Sequence, residues 1–100
     1  MTAKPIEVFT LGRKRVVVCR VPDGTALEFL GCVLDFYSHG RPSGRIRVEG
    51  ISTASRAGAR EFDFSYSGDE IQPHQLGDRS ILTDGTFEEA CRAMAATQLV

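Results

Sequence analysis

The stretch TALEFLGCVLDFYS (25–38) decides the fold, because it can be written as a helix or as a strand. Wound as a helix, it places Glu28, Gly31, Asp35 and Ser38 on one narrow polar stripe. Leu27, Leu30, Val33, Leu34 and Tyr37 then share the opposite side. Thr25 with Glu28 forms a capping box, and Gly40 is placed to end the helix. Extended as a strand, Leu30, Cys32, Leu34 and Phe36 share one face, but Phe29, Val33 and Tyr37 put apolar groups on the other. Gly31 costs a helix about 1 kcal/mol relative to Ala. The incomplete alternation outweighs that cost, so the pattern predicts a helix over 25–38, with a strand as the alternative.

Upstream, Ile6 to Leu11 and Arg15 to Val21 read as strands, the second marked by Val16-Val17-Val18. Gly12-Arg13-Lys14 between them suits a hairpin turn, and Pro22-Asp23-Gly24 stops the second strand. Downstream, Gly40 to Gly44 reads as a loop. Arg45 to Ser52 follows as a strand, with Ile46 and Val48 on one face and Arg47 and Glu49 on the other. Ser52 to Ala59 is a small, polar connection. From Arg60 to Tyr66 alternation is clean, Phe62, Phe64 and Tyr66 facing inward and Glu61, Asp63 and Ser65 outward. Ser67 to Gly85 is long and irregular, with room for a short strand near Ser80-Ile81-Leu82. A helix from Phe87 to about Gln98 closes the chain, capped by Thr86 and Glu89, with Phe87, Ala90, Cys91 and Met94 as its apolar stripe.

The expected architecture is a single α+β domain over residues 1–100. It has a small antiparallel or mixed sheet of about four strands, a central helix and a C-terminal helix (ββαββ-α). The hairpin, the Val21-Pro22-Asp23-Gly24-Thr25 turn and the apolar segment after it resemble the start of a β-grasp, or ubiquitin-like, domain over about Ile6 to Tyr37. That resemblance concerns the fold alone. The chain ends Gln98-Leu99-Val100 and lacks the Gly-Gly tail of the conjugated and sulfur-carrier members, so no function is carried over.

Composition narrows the function classes. At 42% hydrophobic and 25% charged the chain has the make-up of a folded domain. No run approaches the roughly 20 apolar residues of a membrane span, and Met1 to Pro5 lacks the apolar core of a signal peptide. Cys19, Cys32 and Cys91 are odd in number and widely spaced, which points to reduced thiols in the cytoplasm. Charge is split: residues 1–60 carry ten Lys or Arg against five Asp or Glu, and residues 61–100 two against eight. A basic first part and an acidic second part suit a charged partner surface.

Candidate chemistry is sparse. His39 and His74 are the only imidazoles, and no nucleophile elbow accompanies them. The sets Cys32, Asp35, His39 and Asp69, Glu70, His74 match no recognised ligand spacing, so no metal or cofactor is expected. Gly40-Arg41-Pro42-Ser43-Gly44-Arg45 is the most suggestive loop, its Arg41, Ser43 and Arg45 being able to grip an anion. Arg13, Lys14 and Arg15 could join it in a basic face for nucleic acid. A register placing Arg47 against Glu61 and Arg45 against Asp63 would neutralise that face. The acidic loop offers Asp69, Glu70 and Asp78 to a basic partner.

The default expectation is a non-catalytic protein-interaction module, an adaptor, inhibitor or accessory subunit, acting through a charged surface or a sheet edge, with a homodimer as one form of it. The alternatives are a nucleic-acid binder using the arginine-rich face, and a small enzyme or enzyme subunit with an anion-binding loop.

Overall fold

The computed structural model describes residues 1–21, 26–53 and 61–98. Six strands and one α-helix follow one another: β1 (Thr2–Leu11), β2 (Lys14–Arg20), β3 (Val33–Ser38), β4 (Arg41–Thr53), β5 (Glu61–Gly68), β6 (Ile81–Thr83) and α1 (Phe87–Gln98). The strands close into an antiparallel barrel in the order β1-β2-β5-β4-β3-β6. The expected α+β class holds, but among the described residues the sheet has six strands rather than about four, and there is one α-helix rather than two.

The correction lies in the stretch that decides the fold. Ala26–Phe29 makes one turn of 3-10 helix, and Gly31 at φ +80° then turns the chain into β3. Backbone bonds from Gly31 N–H to the Val48 carbonyl (2.9 Å) and from Val48 N–H to the Cys32 carbonyl (3.0 Å) tie the crossing to β4. Along β3 the burial alternates, with Leu34, Phe36 and Ser38 inward. The outer residues that argued for a helix have separate fates. Val33 is exposed, whereas Tyr37 is covered by Phe87 of α1, ring centroids 5.0 Å apart. The proposed cap at Thr25 lies outside the described residues. With a strand where a central helix was expected, and a closed barrel, the β-grasp resemblance does not extend to the tertiary structure.

A second correction concerns Gly40 to Gly44, which is strand rather than loop. Ser38 pairs with Arg41 across the two-residue turn His39-Gly40, whose φ values of +51° and +81° are those of a type I′ hairpin. Ser43 is the extra residue of a bulge between the pairs Phe36–Gly44 and Tyr37–Pro42. The third correction is register. Arg47 pairs with Ser67 and Asp63 with Ser52, while Glu61 is reached by Arg20 of β2 at 3.0 Å. Thus β4 runs past the expected start of the connection, to Thr53, and residues 54–59 of that connection lie outside the described residues.

Other expectations stand, save that Glu61, expected to face outward, is buried beside Arg20. The β1–β2 turn narrows to Gly12-Arg13, with Gly12 at φ +62°. Ile46, Val48, Phe64 and Tyr66 are buried in the barrel with Val17, Leu34, Phe36 and Leu82, and Phe62 packs at its margin. Phe29 plugs the end at which β1 begins, against Phe64 at 5.3 Å. The short strand near Ser80 is β6, which supplies closure by pairing with both β1 and β3. Thr86 caps α1 by accepting the Glu89 N–H at 3.1 Å, and its hydroxyl donates to the Glu89 carboxylate at 3.0 Å. No helix among the described residues is long and apolar enough to cross a membrane.

Candidate functional site

Strand direction alternates around the barrel, so the β1–β2 and β3–β4 turns and the exit of β5 share one end, here the distal end. The candidate binding residues Arg13, Lys14, Arg15, Arg41, Arg45, Asp69, Glu70 and Asp78 map to this end or to the connection that follows β5. They do not form one face. In the strand order the β1–β2 hairpin is separated from the β3–β4 hairpin by β5 on one side and β6 on the other. Arg13, Lys14 and Arg15 therefore stand across the rim from Arg41, Ser43 and Arg45.

Two members of the second set, Ser43 and Arg45, are occupied. The Arg45 guanidinium donates to Asp35 at 2.9 Å, and its backbone N–H donates to the Asp69 carboxylate at 2.9 Å. Asp69 N–H returns a bond to the Arg45 carbonyl at 3.0 Å. Gly44 permits this approach, since a Cβ there would fall 2.9 Å from that of Asp69. Ser43 spends its hydroxyl on the Arg41 carbonyl at 2.9 Å. Of its two arginines, Arg41 alone keeps a side chain with no ion pair among the described residues.

The first set is bare. No ion pair joins Arg13 or Lys14 to an acid among the described residues. Arg15 lies over the Tyr66 ring, 5.4 Å from its centroid, and so closes the barrel mouth with a planar cation. The Tyr66 hydroxyl accepts the Ile71 N–H at 3.1 Å, drawing the chain after β5 across the mouth.

Beside that crossing β1 runs without a second neighbour. Strand β6 has three residues and pairs only with Thr2 and Ala3 of β1. From Val8 to Leu11, β2 is the only strand that pairs with β1 among the described residues. Leu11 and Lys14 close the turn, so the antiparallel alternation points the N–H and C=O of Val8 and Thr10 away from β2. They face a groove of about 360 Å³ between β1 and residues 70–73, with Val8, Tyr66, Ile71 and Pro73 as apolar walls and Arg15 and Glu70 as a pair of opposite charges. Among the described residues no backbone bond bridges this groove. Phe9 and Leu11, on the outer face of the same segment, are 36% and 62% exposed.

The acids disperse too. Asp69 serves β4, and Glu70 accepts the Gln72 amide at 2.6 Å at the groove. Asp78 stands by Lys4, whose ammonium donates to the carbonyls of Gly77 and Ser80. Burial pulls the Lys4 pKa below 10.5, Asp78 opposes that pull, and Arg20 adds to it. His39 sits in the β3–β4 turn, not at a helix end, with its ring 3.5 Å from the His74 carbonyl. Neither imidazole lines the groove. Cys32 donates to the Glu28 carbonyl at 3.2 Å and Asp35 holds Arg45; no three His, Cys, Asp or Glu side chains gather as metal ligands among the described residues. All three thiols are free; burial, with Asp63 nearby, pushes the Cys19 pKa well up.

Sequence reasoning missed Val8, Thr10, Tyr66 and Ile71 as parts of a site. Nothing local marks them, because the groove exists only through the shortness of β6. Comparison of the chain with protein-family models, with curated proteins and with solved structures gave no match.

Proposed function

We propose that this chain is a non-catalytic protein-interaction module that takes an extended segment of a partner onto the open side of β1 from Val8 to Leu11. The observation that carries the proposal is the ladder itself, ten residues of β1 beside three of β6. Outward N–H and C=O groups are a template for another strand, and a partner satisfies them with main-chain bonds. The apolar walls of the groove take alternate side chains, and Arg15 and Glu70 reward opposite charges on the others. The charged-surface form of the expectation thus merges with the edge form at one place. Nucleic-acid binding finds less support: Arg45 is tied to Asp35 and Asp69, and Arg41 lies across the rim from Arg13–Arg15.

The test is selection from a displayed library of random peptides, followed by amide exchange on the complexes. Selected peptides are expected to slow exchange at Val8 and Thr10. Thr10→Pro removes one outward N–H without touching the β2 ladder, and is expected to weaken binding about tenfold or more. A concentration-dependent homodimer that Thr10→Pro dissolves would identify the partner strand as a second copy of β1. Failure to select any peptide without such a dimer, or protection confined to another surface, would overturn the proposal.

A further inference from the structure

Outside the mouth, on the outer face of β2, β5 and β4, two cavities of about 370 and 260 Å³ meet at Lys14, Gly50 and Ser65. A bulge of β4 creates their common floor. The pairs Val48–Tyr66 and Gly50–Ser65 leave Glu49 as the extra residue, which sets a glycine opposite Ser65. A Cβ at position 50 would fall 2.7 Å from the Ser65 hydroxyl oxygen, so the glycine keeps the floor low and the cavities continuous.

The two ends differ in chemistry. At one end stand Arg13 and Lys14, bare of ion pairs among the described residues, with the hydroxyls of Ser65 and Ser67. The Glu49 carboxylate at this end already accepts the Ser67 hydroxyl at 2.7 Å. The other end is walled by Leu11 and Val16, and Asp63 closes it with a negative charge. An anionic head is repelled from the Asp63 end and attracted to the Arg13–Lys14 end, so a ligand enters in one orientation.

From this geometry we infer that the groove binds an organic phosphate monoester with a flat apolar body, the phosphate between Arg13 and Lys14 and the body against Leu11 and Val16 over Gly50. Two unpaired cations match the charge of about −1.5 to −2 that a phosphate monoester carries near neutral pH, better than the single charge of a carboxylate. The groove shares Leu11, Arg15 and Tyr66 with the strand-docking proposal but none of Val8 to Thr10. The amides of Lys14, Gly50 and Ser65 therefore report on this inference, and those of Val8 and Thr10 on the other.

The probe is phenyl phosphate titrated into the full chain labelled with ¹⁵N, with inorganic phosphate and phenol as the head-only and body-only controls. Phenyl phosphate is expected to move the amides of Lys14, Gly50 and Ser65 saturably, binding at least about tenfold tighter than either control. Arg13→Ala with Lys14→Ala is expected to abolish the gain from the phosphate. Gly50→Val is expected to fill the floor and reduce phenyl phosphate to the affinity of inorganic phosphate. Leu11→Ser, at an exposed position, repeats the test of the apolar end without demands on folding. Absence of saturable shifts, shifts confined to other amides, or phenyl phosphate binding no tighter than inorganic phosphate would each overturn the inference.

Discussion

The β1–β2 and β3–β4 hairpins turn on two residues at the same rim of the barrel, yet their surroundings have little in common. At the β3–β4 turn, Gly40 N–H reaches the Arg79 carbonyl at 3.3 Å, and the bulge beyond is clamped by Asp69 and Asp35 on Arg45. Tyr37, on the outer face, is covered by α1. The β1–β2 turn has no such fastening: nothing lies within 4 Å of a Cβ built at Gly12, Arg13 and Lys14 are unpaired among the described residues, and Leu11 faces water. Similar local chemistry therefore yields a fastened hairpin where neighbours spend the polar groups, and an open hairpin where they do not.

The largest expected contrast is between two phenylalanines. Phe36→Ala, in the core of β3, should cost about 3–5 kcal/mol, whereas Phe9→Ala on β1 should cost below about 1 kcal/mol. Denaturant unfolding of the two variants reads this directly, and similar costs would break the comparison. Next comes glycine. Gly68 has φ +102° and a Cβ there would fall 2.6 Å from the Arg45 carbonyl oxygen, so Gly68→Ala should cost about 3 kcal/mol. Gly12→Ala meets only its own positive φ and should lose about 1–2 kcal/mol.

Charge separates the hairpins by less. Removing the clamp with Asp69→Ala should lower stability by about 1 kcal/mol, while Arg13→Ala should stay within about 0.5 kcal/mol. Equal effects in thermal unfolding would show that the clamp contributes nothing. The smallest effect is one of pH, at the proximal half of β1. Because the folded-state pKa of Lys4 lies below 10.5, the unfolded chain holds that proton more tightly. Between the lowered value and 10.5 the Lys4 contribution makes stability rise with pH, and that increment should vanish in Lys4→Met. A wild-type and variant stability difference independent of pH would contradict it.

Much of the fold is legible along the chain, because it rests on period-two patterns that local sterics enforce. The alternation of Phe62, Phe64 and Tyr66, the Ile46–Val48 face, the valine run and the Thr86–Glu89 cap each read correctly. The basic tripeptide Arg13–Arg15 was legible as a candidate, as was the possibility of an open strand side. Which side, and between which walls, was not.

Only the tertiary structure decided the rest, and for one reason: a side chain's burial depends on what arrives from elsewhere in the chain. Tyr37 argued against a strand until Phe87, from a helix fifty residues on, covered the outer face of β3. Arg45 looked like an anion ligand until the carboxylates of Asp35 and Asp69 came to it across two strand crossings. Residue pattern alone determined which segments extend, which helix closes the chain and where charge collects. Register and the three-residue length of β6 determined which charges cancel, and which stretch of β1 keeps its backbone open to another strand.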